Sequence, residues 1–195
     1  MATSQPINYV RNYVRVAEVL TELGMITQET AQSVIERFGD LAYGELKPGH
    51  ETASSLEDFG VAVSIHADDV DFADHHYEWL LEEAAALTGG KVTVDNYRFD
   101  KADPDDEDAG RGTLYFERNG KELSFSIEQE SNDYLDMDAA QAAIEALSPD
   151  DDPRTFRCVD SGPYTLGYDD VMVLATAEQR EGLLQHLGIT FREPW

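Results

Sequence analysis

The chain has 195 residues, of which 42% are hydrophobic and 10% aromatic, so it contains enough apolar material for a folded domain with a substantial core. Its 14 Lys and Arg against 40 Asp and Glu give a net charge of −26, which argues against direct contact with nucleic acid or anionic membranes. A single cysteine excludes an internal disulfide, and no apolar run has the length of a signal peptide or a membrane span, so we expect a cytoplasmic protein.

A helical hairpin is predicted over residues 1–43. Gly24 ends the first helix, Thr27 is a typical N-cap for the second, and Gly39 ends that one. Residues 44–60 lose helical periodicity and gather Gly, Pro and Ser, so they are predicted to be a connector to an α/β body over residues 61–195. The predicted apolar faces of the two helices are Val10, Tyr13, Val14, Ala17 and Leu20, and Ala31, Val34, Ile35 and Phe38.

The body alternates strand patterns with helix patterns. Strands are predicted at 61–67, 91–99, 155–160 and 170–176, with a hairpin around Asn119-Gly120. Helices follow Asp71, Asp136 and Thr176, and the first of them buries Tyr77, Leu80, Leu81, Ala84 and Leu87. The order β-α-β-β-β-α-β-β-α predicts an α+β fold with a mixed, mostly antiparallel sheet and packed helices, preceded by the helical hairpin.

The Asn119-Gly120 turn also predicts a strand register. Pairing residue 118 with 121 places Phe116 opposite Leu123 and Leu114 opposite Phe125 on one apolar face. The other face then places Tyr115 opposite Ser124 and Glu117 opposite Glu122. Because like charges directly opposite each other disfavour pairing, this face is expected to be open to water or to a cationic partner.

Two acidic clusters lie between predicted elements. The first comprises Asp103, Asp105, Asp106, Glu107 and Asp108, and the second comprises Asp150, Asp151 and Asp152. The first fails as a calcium loop, because Asp108 stands where glycine is needed and Leu114 stands where a bidentate glutamate is needed. The second has no rigid ligand spacing either. Both are therefore interpreted as solvated turns that can also serve as docking surfaces.

Other catalytic patterns are weak. The triplet Asp74-His75-His76 falls in an amphipathic helix without the further aspartate motifs of a two-metal site, although His66, Asp69, His75 and His76 together define an alternative, a metal-dependent hydrolase. Cys158 lies within a strand and is interpreted as a buried hydrophobe. No Gly-x-Ser-x-Gly motif and no glycine-rich phosphate loop occurs in the sequence. The sequence therefore predicts no cofactor, no bound metal and no catalytic residue.

From Phe72 to Gly188 the segments "HHYEWLLEEAAALTGG", "LYFERNGKELSFSIEQESNDYLD", "FRCVDSG" and "VLATAEQREGLLQHLGI" follow one another. This order resembles small bacterial immunity proteins encoded beside polymorphic-toxin genes. The resemblance implies a cytoplasmic, non-catalytic protein that neutralises a cognate toxin by binding it. It carries no functional residue across, and it does not extend to the N-terminal helices.

The leading hypothesis is therefore a binding protein whose acidic loops engage a basic toxin, with Tyr97, Tyr115 and Tyr134 as apolar anchors. A second possibility is a nucleic-acid mimic that captures basic proteins in general. A third is that the acidity is compositional, as in a proteome adapted to high salt or coded by a GC-rich genome.

Overall fold

The computed structural model describes residues 10–67, 73–102, 111–128, 134–160 and 169–193. Among them the N-terminal part folds into helices α1 (Tyr13–Glu22), α2 (Gln28–Phe38) and α3 (His50–Asp58), with a 3₁₀ helix at Gly39–Tyr43. The body follows as β1 (Ala62–His66), α4 (Ala73–Leu87), β2 (Val94–Lys101), β3 (Arg111–Arg118), β4 (Lys121–Glu128), α5 (Met137–Glu145), β5 (Thr155–Cys158), β6 (Asp169–Ala175) and α6 (Ala177–Leu187). The predicted α+β class and the predicted order of body elements are confirmed.

The strands form two antiparallel sheets rather than one mixed sheet. Sheet A has the order β1-β6-β5, and sheet B has the order β2-β3-β4. Both neighbours of β6 pair with it antiparallel, so its two edges are used within sheet A. Helix α4 packs on β1 and β2, and α5 packs on β4 and β5, so each helix contacts both sheets. The prediction of one continuous sheet is therefore wrong.

Sheet A is buried on both faces. The face formed by Val63, Ile65, Phe156, Met172 and Leu174 packs with α4, α5 and the apolar face of sheet B. The opposite face, which includes Ala62, Val171, Val173 and Ala175, packs with α1, α2, α3 and α6. Sheet A is therefore the central layer of the protein. Sheet B lies on the face of sheet A that packs with α4 and α5, opposite the N-terminal helices.

The N-terminal helices share a core with the body. The predicted connector at 44–60 contains α3, whose Ala53 and Leu56 are fully buried. The prediction of a connector without a helix is wrong. The sequence of α3 shows little apolar periodicity because Thr52 and Ser55 lie on its buried side, and the helix obtains its core only by packing against the rest of the protein. Helix α6 also approaches the end of α1 closely at Gly182, since a Cβ there would collide with the Leu23 side chain and that side chain would have to move.

The buried side of α1 differs from the prediction. Val16 and Val19 are fully buried together with Ala17 and Leu20, whereas Val10 precedes the helix and is 66% exposed. Helix α1 contacts α2, α3 and α6, so apolar residues on more than one of its sides are covered. In α2 the prediction holds, with Thr27 as the N-cap, Ala31 and Val34 buried, and Gly39 at the end.

The β3–β4 hairpin has the predicted register. Phe116 pairs with Leu123, Leu114 with Phe125, and Glu117 with Glu122. Asn119 and Gly120 both adopt positive φ, at 52° and 75°, as a two-residue turn of this type requires. The predicted caps of α5 and α6 are also present, namely Asp136 and the capping box of Thr176 and Gln179. Within the described ranges, the helices are too short or too polar to cross a membrane.

Candidate functional site

The face of sheet B that points away from the core is lined by polar side chains. Core residues of β3 and β4 alternate with residues on this open face, because successive side chains of a strand point to opposite sides. The residues of the open face include Asp95, Arg98 and Asp100 from β2, Arg111, Thr113, Tyr115 and Glu117 from β3, and Glu122, Ser124, Ser126 and Glu128 from β4. A partner docking on sheet B would meet these residues first.

Three carboxylates cross this open face in one row. Asp95 pairs with Glu117 across β2 and β3, and Glu117 pairs with Glu122 across β3 and β4. We call Asp95, Glu117 and Glu122 the acidic row. No ion pair joins any of the three to a lysine or arginine among the described residues. The charge of Arg98 acts on Glu122 without forming an ion pair with it. Like charges directly opposite each other weaken strand pairing, so repulsion within the row is at most partly relieved.

An aromatic residue and a cation lie beside the acidic row. The guanidinium carbon of Arg98 stands 4.1 Å from the centroid of the Tyr115 ring. The same side chain donates from Nε to both carboxylate oxygens of Asp100, at 3.0 Å each. Arg98 is therefore already held by two groups of this face, and Tyr115 offers a partly exposed aromatic ring in its centre.

Tyr97 lies on the covered side of sheet B, where it packs against the core, and not on the open face. It is half-buried, it packs against Phe116, and its hydroxyl has no hydrogen-bond partner among the described residues. Burial raises the pKa of Tyr97, and the negative charges of Glu82, Glu78 and Asp95 raise it further. Glu78 and Glu82 of α4 and Asp95 of the acidic row therefore all lie near this hydroxyl.

The acidic loop predicted at 103–108 lies outside the described residues. The strands that it joins are paired up to Lys101 and Gly112, and the backbone N–H of Ala102 donates to the carbonyl of Arg111. The loop therefore joins the paired strands β2 and β3, as predicted. Arg111, the first residue of β3 after the loop, lies six positions before Glu117 and therefore about 20 Å from the acidic row along the strand.

The second acidic cluster is largely engaged in internal ion pairs. Asp150 accepts from Arg118 at 2.9 Å, while the side chain of Asp152 is only 6% exposed and accepts from Arg154 at 2.6 Å and Lys91 at 2.9 Å. The Arg154 side chain, with help from Lys91, holds the pKa of Asp152 well below its usual range. Asp151 is exposed. The cluster fastens the turn before β5 to sheet B, and little of Asp152 remains accessible to a partner.

The third predicted anchor, Tyr134, is half-buried in the segment that leads into α5. Its neighbour Leu135 is buried and donates its backbone N–H to the carbonyl of Ala67. Tyr134 therefore stands near the end of β1, apart from the open face of sheet B that carries Tyr115.

The histidines of the alternative metal site are only partly brought together. His66 Nδ1 lies 2.7 Å from the Asp169 carboxylate at the paired ends of β1 and β6, and His75 lies 3.8 Å from Glu78 on α4. Asp69 falls outside the described residues. Within the described part of the chain, no three His, Cys, Asp or Glu side chains converge on a point where a metal could bind.

Two buried polar groups lie between sheet A and its neighbours. Burial raises the pKa of Cys158 to about 12, with a further contribution from the charge of Asp170, so the thiol stays protonated and unreactive at neutral pH. Asp170 accepts from Gln141 at 2.6 Å and from Arg192 at 2.8 Å, and burial raises its pKa. Sequence reasoning placed Asp170 in a strand but missed its ion pair, because Arg192 lies far along the chain.

Sequence reasoning also missed Trp79. This residue is 57% exposed on the outward side of α4, between the rings of His75 and His76. The available signal was its position in the helix, since it falls outside the apolar stripe that contains Tyr77, Leu80 and Leu81. A tryptophan on the polar side of an amphipathic helix is a candidate contact residue.

Comparison of the chain with family models, with curated proteins and with solved structures finds no match in any of the three. Statements about function therefore rest on the geometry and charge of the described residues.

Proposed function

We propose that the protein is a non-catalytic binding protein of the immunity type, which neutralises a basic bacterial toxin in the cytoplasm by covering it with an acidic surface. The observation that carries this proposal is the acidic row on the open face of sheet B. Asp95, Glu117 and Glu122 stand side by side across three strands, without a cation to pair them among the described residues.

The energetic reason is the repulsion within the row. Each directly opposed like-charge pair costs stability, so the free protein keeps an unfavourable arrangement at this place. A cationic partner would relieve the repulsion, and it would break no existing ion pair of the row when it docks. Because the repulsion is relieved only in the complex, its relief favours the bound state and adds to the affinity.

The charge of the whole protein supports the same function. A net charge of −26 accelerates encounter with a basic protein, and the acceleration falls as ionic strength rises. Toxins that act on nucleic acid need basic clefts for their substrates, so they offer the complementary charge. Tyr115 provides an aromatic contact in the centre of the face, where affinity is usually concentrated.

Neutralisation of a toxin tests the proposal. The product of the reading frame adjacent to this gene would be expressed in a bacterium with and without the protein, and growth would be followed. We expect growth to be restored only when the protein is present and binds the toxin domain. A neighbouring product that is neither toxic nor bound would overturn the proposal.

The surface itself is tested with matched variants. A triple variant with Asp95→Asn, Glu117→Gln and Glu122→Gln should lower affinity for the toxin domain at least tenfold and reduce its salt dependence. The control triple variant, Glu22→Gln, Glu29→Gln and Glu45→Gln, makes the same charge change at exposed positions of the N-terminal part. Equal effects of both variants would show that only net charge matters.

The acidic loop and the alternative functions need separate measurements. Replacing the five carboxylates between Asp103 and Asp108 by Asn and Gln tests whether the loop contributes to binding. Equal binding of unrelated basic proteins would indicate a nucleic-acid mimic instead. Stabilisation of the protein by Mn²⁺ or Zn²⁺, abolished by replacing His66, would favour the metal-dependent hydrolase.

A further inference from the structure

A cleft of about 140 Å³ opens between the edge strand β1 and helix α4. Its lining includes His66 from the strand and His76, Trp79, Leu80 and Glu83 from the helix. We call it the Trp79 pocket. It lies at the side of sheet A, and its lining residues do not belong to the open face of sheet B described above.

Trp79 is placed where the fold gains little from it. Its side chain is 57% exposed, whereas Tyr77, two positions earlier on the same helix, is fully buried. The rings of His75 and His76 flank the indole, with centroids 6.5 Å and 5.4 Å away. A tryptophan held at the surface in this way presents a large aromatic face at small entropic cost, which is the usual character of a binding hot spot.

The surroundings of Trp79 are negatively charged. Glu83 lines the pocket, Glu78 and Glu82 lie on the same helix, and His66 of the lining has its Nδ1 2.7 Å from the Asp169 carboxylate. The described lining residues include neither lysine nor arginine. An aromatic face beside carboxylates is complementary to a cation, and least complementary to an anion or a neutral lipid.

We propose that the Trp79 pocket receives an arginine side chain of the protein partner, with the guanidinium stacked on the indole and hydrogen-bonded to Glu83. Arginine fits better than lysine, because its planar group can stack on an aromatic face and donate to a carboxylate at the same time. This inference rests on the proposed function, which supplies a basic partner, and it adds a second contact region to the acidic row.

The position of the pocket makes a joint interface possible. Glu78 and Glu82 share helix α4 with Trp79, and their charges act on Tyr97 together with Asp95 of the acidic row. Acidic residues of α4 thus lie near β2 as well as in the Trp79 pocket. One partner can contact both regions, with arginine anchoring at one end and charge complementarity at the other.

The first test uses N-acetyl-arginine methylamide as the probe. The indole N–H signal of Trp79 is followed by NMR in a Trp195→Phe background, with about 0.15 M salt to screen non-specific attraction. We expect a saturable shift in the millimolar range, at least threefold weaker for Glu83→Gln and unchanged for Glu178→Gln, an exposed acid on α6. The uncharged analogue N-acetyl-norleucine methylamide should produce no saturable shift. A linear response, or equal responses to the two probes, would overturn the pocket.

The second test uses the toxin domain bound by the full chain. Trp79→Leu should weaken binding about tenfold or more, in the range of hot-spot residues, whereas Leu184→Ala changes an exposed apolar residue elsewhere and should have no effect. Thermal unfolding confirms that both variants fold. If Trp79→Leu binds the toxin domain as well as the wild type does, the pocket proposal is wrong and the proposed function stands. If the protein neutralises no toxin, the proposed function is wrong, and the arginine titration still tests the pocket by itself.

Discussion

The two sheets have the same number of strands and the same antiparallel pairing, yet they differ in what covers them. Five consecutive residues of β6, from Val171 to Ala175, are buried, whereas β3 alternates between buried and partly exposed positions. Sheet A has helices on one side and both helices and sheet B on the other, while sheet B has one covered face. The difference shows that sheet A serves stability, and that the open face of sheet B is available for other roles.

The largest expected effect is at the covered face of sheet B. Phe116→Ala removes a fully buried ring that contacts Tyr97 and Phe125, and it should lower the free energy of unfolding by about 3–5 kcal/mol. Tyr115→Ala, one residue earlier on the open face, should cost less than about 1 kcal/mol. Urea unfolding of both variants measures the contrast. Similar losses would mean that the open face is also packed.

Neighbouring residues of β6 should behave differently. Met172→Ala should cost about 2–5 kcal/mol, and Val173→Ala on the opposite face should still cost about 2 kcal/mol, because both side chains are fully buried. The same urea measurement applies. If one of the two substitutions were neutral, one face of sheet A would not be a true core.

The ion pairs before β5 predict a pH dependence of stability. The pKa of Asp152 is lowered in the folded protein, so its contribution is complete above the pKa of the unfolded chain, about 4, and is lost as pH falls further. Asp152→Asn should therefore destabilise by about 1–3 kcal/mol near neutral pH, and the difference from wild type should shrink toward pH 3. Asp151→Asn, at an exposed position, is the control and should show no such convergence.

The smallest expected effect has the opposite sign. Glu117→Gln or Glu122→Gln relieves like-charge repulsion and should raise the free energy of unfolding by about 0.2–1 kcal/mol at low salt. The gain should diminish at about 0.5 M salt, because screening weakens the repulsion in the wild type. Glu29→Gln on α2 is the matched control. A loss of stability instead would show that the row has a favourable partner.

Local patterns were enough to predict most of the body. The Asn119-Gly120 turn determined the β3–β4 register, and with it the exposed pair Glu117 and Glu122, because a two-residue turn leaves one pairing possible. The caps at Thr27, Asp136 and Thr176 were also predictable, since each satisfies backbone N–H groups within three residues. Such constraints involve only residues close together in the sequence, so they do not depend on how the rest of the chain folds.

The candidate site depended on longer-range structure. The sequence predicted two of the three residues of the acidic row, and Asp95 joined it only through the irregular β2–β3 pairing around Asn96, which no local signal specifies. The Trp79 pocket needed β1 and α4 side by side, and the buried α3 needed sheet A for its core. The sequence by itself determined the elements, the hairpin register and the charge. Only the tertiary structure decided which faces were covered, because burial depends on contacts between segments far apart in the chain.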